Sequence, residues 1–150
     1  MGSIFRTIKN LIMEEYLIPY EEAYELKQLE FDLPTITYKW NLDHNPTAVK
    51  TLHYSPLNNI NHNGLNGVTR VTIPLYEQVF KWFRDKYDTQ IYIEPWYIQE
   101  VKETFYKFNI IYNNESIFGS YYYDSYEEAQ LACLQKLIKL LKDGNIRNTI

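Results

Sequence analysis

The stretch Asp124–Gly144, DSYEEAQLACLQKLIKLLKDG, constrains the chain more than any other. At about 100° per residue, Tyr126, Ala129, Cys133, Leu134, Leu137, Ile138, Leu140 and Leu141 fall on one broad arc. Glu128, Gln135, Lys139 and Lys142 fall on the other side. A helix with so wide an apolar arc is stable in water only when that arc is covered. Its ends are marked in the sequence. Ser125 and Glu128 have capping-box spacing, acidic residues sit in the first turn and lysines in the last, and Gly144 suits a left-handed stop.

The preceding residues supply the cover. Thr104–Tyr112 alternates, with Tyr106, Phe108, Ile110 and Tyr112 on one face and Lys107 and Asn109 on the other. Asn113–Ser116 predicts a turn and Ile117–Tyr123 the return strand. Gln90–Glu94 predicts a shorter strand that Pro95-Trp96 interrupts, and Leu75–Lys86 a helix opened by Pro74. The second half is therefore expected to run α-β-β-β-α.

The first half predicts an amphipathic helix over Ser3–Tyr16, with Ile4, Phe5 and Ile8 on its apolar stripe, and a second helix over Tyr20–Leu29. Thr35–Trp40, Ala48–Tyr54 and Val68–Ile73 have strand composition. Ser55–Gly67, rich in Asn and Gly, predicts turns. The expected organisation is an N-terminal helix over 1–17, one α+β domain over 18–144 with a loop-rich insert at 41–67, and a polar tail over 145–150. The expected architecture is an antiparallel sheet with helices packed on one face.

Composition limits function. With 19 acidic and 15 basic residues the formal charge is -4, which opposes a sequence-blind grip on phosphates. No apolar run approaches the roughly 18 residues of a membrane span. Glu14 and Glu15 close a short, broken apolar stretch, so a signal peptide is not expected, and Arg6 stands where a myristoylation motif wants Ser or Thr. The single Cys133 lies on the apolar arc, where a thiol is inert. His44, His53 and His62 lack the close pairing of zinc ligands and are expected to face solvent. No nucleophile elbow, P-loop or dinucleotide fingerprint occurs. Neither catalytic residues, nor metal ligands, nor a cofactor are expected.

What remains is aromatic surface. The chain carries 15 Tyr, 7 Phe and 3 Trp, and tyrosine suits faces that are half packed and half wet. The candidate partner-binding residues are Ile4, Phe5, Ile8, Trp96, Tyr97, Tyr121, Tyr122 and Tyr123. The expected partner is a protein, with self-association as a second mode and nucleic acid disfavoured.

Two resemblances bear on this. Leu75–Leu141 resembles a double-stranded-RNA-binding domain in element order, but Ser125–Glu128 is acidic where that family carries its phosphate-gripping basic cluster. More broadly, IPYEEAYELKQLEFD (Ile18–Asp32), PLYEQVFKWFRDKYD (Pro74–Asp88) and YDSYEEAQLACLQKLIKLL (Tyr123–Leu141) resemble a family of small uncharacterised proteins of Bacteroidota tailed phages and prophages, crAss-like phages included. That resemblance covers the chain after residue 18 and is most specific at EEAQLACLQKLI. Ser3–Leu17 and the 41–67 insert depart from it. It implies a phage setting, in the host cytoplasm or the virion, and brings no catalytic residues.

The expected function is thus a non-enzymatic phage-type protein-binding module, as a virion component or packaged cargo. One alternative is an early phage protein that sequesters a host factor or a small ligand, with Trp40, Trp82 or Trp96 walling a pocket. The other is a nucleic-acid-binding protein with a degenerate double-stranded-RNA-binding fold.

Overall fold

The computed structural model describes residues 14–35, 37–40, 52–54, 61–63 and 70–148. Most of the Ser3–Tyr16 helix, including Ile4, Phe5 and Ile8, and most of the 41–67 insert lie outside the described residues. The described elements are, in order, α1 (Tyr20–Gln28), β1 (Thr37–Trp40), β2 (Leu52–Tyr54), β3 (Arg70–Thr72), α2 (Tyr76–Tyr87), β4 (Thr89–Ile98), β5 (Glu103–Tyr112), β6 (Glu115–Gly119) and α3 (Tyr126–Lys142). The fold is α+β, and its C-terminal half runs α-β-β-β-α. The strands form two three-stranded antiparallel sheets, ordered β2-β1-β3 and β4-β5-β6. Contacts gather into two compact units, 1–78 and 79–150.

In the first unit α1 packs on β3, burying Ala23 and Leu26, with Phe31, Val71 and Ile73 also buried. Threonines seal the polar interior: Thr35 bonds Thr72 side chain to side chain, and the Thr37 hydroxyl donates to the Ile73 carbonyl. The chain before α1 joins the start of α2. Leu17 bridges Leu75, the Ile18 amide donates to the Pro74 carbonyl at 3.0 Å, and the Tyr76 amide to the Tyr16 carbonyl at 3.0 Å. Gln78 caps this helix start, accepting from the Leu75 amide at 2.9 Å and donating to the Pro34 carbonyl at 3.1 Å.

Asn61 and Asn63 do more here than make turns. Both side-chain amides donate to the Phe31 carbonyl, at 3.3 and 3.2 Å, and Asn63 Oδ1 accepts from the Thr72 amide at 3.1 Å. His62, between them, is only 4 % exposed. The expectation of a solvent-facing histidine there is overturned, because these two asparagines fix the segment to backbone groups distant in sequence.

In the second unit α3 packs on β5 and β4 through Ala129, Cys133, Leu134, Leu137, Ile138 and Leu140. Its N-cap forms as the spacing predicts, with Ser125 Oγ accepting from the Glu128 amide at 3.1 Å. The Glu128 carboxylate reaches one residue further back than a capping box requires, to the Asp124 amide at 3.2 Å. At the other end Gly144 has φ +74°, the Gly144 amide donates to the Leu141 carbonyl and the Asn145 amide to the Leu140 carbonyl, which is a Schellman closure. Asn113 and Asn114 both take positive φ in a two-residue hairpin between β5 and β6.

Two strand boundaries differ from expectation. Pro95-Trp96 does not break β4, which pairs with β5 in unbroken register from Thr89–Tyr112 to Ile98–Glu103. Proline survives because β4 is an edge strand and Pro95 turns its nitrogen outward, away from the β5 ladder. The return strand, by contrast, stops at Gly119 after a register shift at Ile110/Ile111, and only Tyr123 rejoins the sheet, as an isolated bridge to Tyr106.

Candidate interaction surface

The register of β4, β5 and β6 sorts their side chains. Directly opposed residues of antiparallel strands share a face. Ile91–Ile110 and Ile93–Phe108 therefore share the α3 side, joined by Phe118 opposite Ile110. Tyr92–Asn109, Glu94–Lys107 and Trp96–Phe105 share the other. Tyr92 and Trp96 on that face are 53 % and 45 % exposed. An antiparallel sheet with one packed and one wet face normally carries polar residues outward. Here three of these six outward positions, Tyr92, Trp96 and Phe105, are aromatic.

Tyr122 completes the patch. The chain leaves the β6 ladder after Gly119, and Tyr122 turns onto the open face, its ring 6.4 Å from Trp96 and 6.3 Å from Phe105. Lys107 stands beside them. Its ammonium lies 4.0 Å from the Trp96 ring centroid and 3.3 Å from the Glu94 carboxylate. One cation and one anion leave the patch locally neutral, and Ser116 Oγ donates to Asn109 Oδ1 at 2.7 Å along its border.

The candidate residues from the sequence separate. Trp96 and Tyr122 come together on the open face. Tyr97 (59 % exposed) lies on the opposite side of β4, opposite Thr104, and Tyr121 (88 % exposed) projects from the segment after β6. Tyr123 is half-buried on the α3 side, bridged to Tyr106 and stacked 6.0 Å from Phe108. Sequence reasoning missed Tyr92, Phe105 and the Lys107–Glu94 pair. Strand parity held the signal, since Phe105 shares its phase with Lys107 and Asn109, and Tyr92 with Glu94 and Trp96.

The proposed pocket walls do not converge. Trp82 is a core residue, 2 % exposed and edge-on to Phe83 and Tyr87 at 5.1 Å each. Trp96 lies on an open sheet, and the Trp40 side chain lies outside the described residues. A cleft of about 240 Å³ in the first unit is lined by Glu14, Leu17, Ile18, Pro19, Lys39, Leu52 and Ile73, with no aromatic wall among the described residues.

Among the described residues the titratable groups give no reactive constellation. The Cys133 thiol is buried, and that burial pushes its pKa up, opposite to a nucleophile's need. Tyr38 stacks on His62 at 4.2 Å and on His53 at 5.4 Å, with the Arg70 guanidinium 5.2 Å from its ring. Burial first, and the Arg70 charge second, hold His62 below its ordinary pKa, so its ring is neutral at neutral pH. Neither ring nitrogen of His62 has a hydrogen-bond partner among the described residues. No group of three or more His, Cys, Asp or Glu fit to hold a metal occurs among the described residues, where also no helix is long and apolar enough to cross a membrane. His44 lies outside them. No family model, no curated protein and no solved structure matches the chain.

Proposed function

We propose that this chain is a non-catalytic protein-binding module of phage type, which presents the open face of β4-β5-β6 to another protein of the virion or of the host. The observation that carries the reading is the gathering of Trp96, Phe105 and Tyr122, with Tyr92 beside them, on the sheet face opposite α3. Large rigid rings give contact area at small entropic cost, and aromatic residues dominate the energetic centres of protein interfaces. The Lys107–Glu94 pair at their side offers a polar rim. The phage setting comes from the three resembling segments, and the virion is the compartment this reading prefers.

The test is mass spectrometry of gradient-purified particles from cells producing the chain, beside a Trp96→Ser/Tyr122→Ser double variant. A fixed copy number relative to the major capsid protein, lost in the variant while its circular dichroism is unchanged, is the expected result. Abundance in cells with absence from particles would move the reading to a host-directed binder. Equal incorporation of the variant would remove the aromatic face from the function.

Aromatic rings on an open sheet also suit stacked bases of single-stranded nucleic acid. Glu94 on the same face, and Glu127 and Glu128 exposed at the start of α3, weigh against that second reading. A salt-sensitive gel shift at low ionic strength would restore it.

A further inference from the structure

The outer edge of β4 is the least protected feature of the second unit. Tyr106 exchanges both backbone hydrogen bonds with Tyr123, and the Phe108 carbonyl accepts from Ser120, so the even-numbered residues of β5 turn toward β6. Its odd-numbered residues therefore face β4, and they meet the even-numbered residues Gln90, Tyr92, Glu94 and Trp96. The odd-numbered residues Ile91, Ile93 and Tyr97 must turn their amides and carbonyls outward, and Pro95 turns out only a carbonyl. These outward groups have no hydrogen-bond partner among the described residues.

Protected edges carry lysines, bulges or short strands. The β6 edge is short and begins beside a register shift. On β4, in contrast, Thr89–Ile93 reads TQIYI, with no charge and no proline, and unbroken in register. Such a window is prone to pair with another strand. Asp88 before it and Glu94-Pro95 after it stand where gatekeepers stand. They limit the pairing to a short register and leave the centre open.

We propose that a second copy of this chain pairs with the outer edge of β4, antiparallel about a two-fold axis at Tyr92, so that two three-stranded sheets join into one sheet with the open faces of both copies on the same side. The register follows from what the edge offers. With the axis at Tyr92, Ile91 of each copy exchanges both backbone bonds with Ile93 of the other. A register centred on Ile93 sets Ile91 opposite Pro95, which has no donor. One centred on Ile91 requires the backbone of Thr89, a residue with 0 % exposure, and sets Glu94 opposite Asp88. At the Tyr92 axis the open-face pairs are instead Tyr92 with Tyr92 and Gln90 with Glu94, an aromatic pair flanked by two amide–carboxylate pairs. The interface is isologous, as a two-fold demands. It also doubles the candidate surface, because Trp96, Phe105 and Tyr122 of the second copy lie on the same side of the joined sheet.

An edge contact this short buries less than the roughly 1,200 Å² of a standard stable interface, so the dimer is weak, with dissociation in about the micromolar range or above. The test uses the full chain. Sedimentation equilibrium of the unaltered protein is expected to show a concentration-dependent dimer that Tyr92→Lys, with like charges at the axis, reduces to monomer. Under mild oxidation Tyr92→Cys is expected to form a covalent dimer several-fold faster than Gln90→Cys. Opposed residues of a non-hydrogen-bonded pair come close enough for a disulfide, whereas Gln90 faces Glu94. The buried Cys133 does not compete. A monomer at every concentration, or cross-linking at Gln90 as fast as at Tyr92, overturns the proposal. These readouts use isolated protein, so they stand or fall separately from incorporation into particles.

Discussion

The ammonium of Lys107 lies 4.0 Å from the centroid of the Trp96 ring, on neighbouring strands and on the face that α3 leaves open. Glu94 holds the same ammonium from the other side at 3.3 Å. The cation therefore favours this orientation of the ring without adding net charge to the patch. On the proposed function, that bias lowers the ordering cost of binding.

Lys107→Met removes the cation and keeps the stem. Its expected cost to folding is about 0.5–1 kcal/mol, because the pair is solvent-accessible and exposed contacts of this kind contribute little. The effect on partner capture should be larger than the effect on stability, since Trp96 loses its restraint. Urea unfolding alongside capture measures both. A loss of several kcal/mol would mean that Lys107 supports the fold instead.

The ends of α3 should respond as local devices. Ser125→Ala removes the acceptor of the Glu128 amide and is expected to cost ~1 kcal/mol. Gly144→Ala meets no atom within 4 Å, so any loss comes from backbone conformation alone at φ +74°. That loss is expected to be about 1 kcal/mol, and Gly144→Asn should lose less. Thermal unfolding of the three variants separates the contributions. A neutral Gly144→Ala would contradict the left-handed closure.

These ends were legible because their signals are local: a cap residue, a spacing, a glycine. The alternation of Tyr106, Phe108, Ile110 and Tyr112 was legible for the same reason, since strand parity needs no knowledge of the partner. Pro95 was not, because a proline ends a strand in the middle of a sheet and survives at an edge, and edge position is a tertiary fact. Tyr122 and Tyr123 are neighbours in sequence yet lie on opposite faces, one against Trp96 and Phe105, the other against Tyr106 and Phe108. That much is alternation. Which of the two faces outward was set by the register shift at Ile110/Ile111 and by the break after Gly119. His62 was misjudged because the asparagines that flank it gave a turn signal, whereas their bonds run to Phe31 and Thr72.

His62 makes stability depend on pH in a known direction. Its folded pKa lies below the ordinary 6.5, owing to burial and then to Arg70, with Tyr38 the ring packed against it. The unfolded chain therefore binds the proton more readily than the folded one. The contribution of the neutral ring is present above the ordinary value and is lost as pH falls through it toward the folded pKa. Denaturant midpoints should drop as pH falls from neutral through that ordinary value. His62→Phe, which keeps a ring against Tyr38 and has no nitrogen to leave unpaired, should flatten that slope. An unchanged slope in the variant would assign the pH dependence to other groups.

Cys133 offers a native-state probe of the α3 contact. It is 0 % exposed on the buried arc with Leu134 and Leu137, and burial raises its thiol pKa, so the folded protein should withhold it from a thiol-reactive dye at neutral pH. Reaction then requires α3 to leave the sheet, and its rate reports the population of that opening. Leu137→Ala, which empties a fully buried site, is expected to cost about 2–5 kcal/mol and to raise the labelling rate by the corresponding factor. Tyr121→Ser, on a side chain that is 88 % exposed, should leave the rate unchanged. Rapid labelling of the unaltered protein would show that the thiol is reached without opening, and the packing of α3 on β4 and β5 would have to be reconsidered.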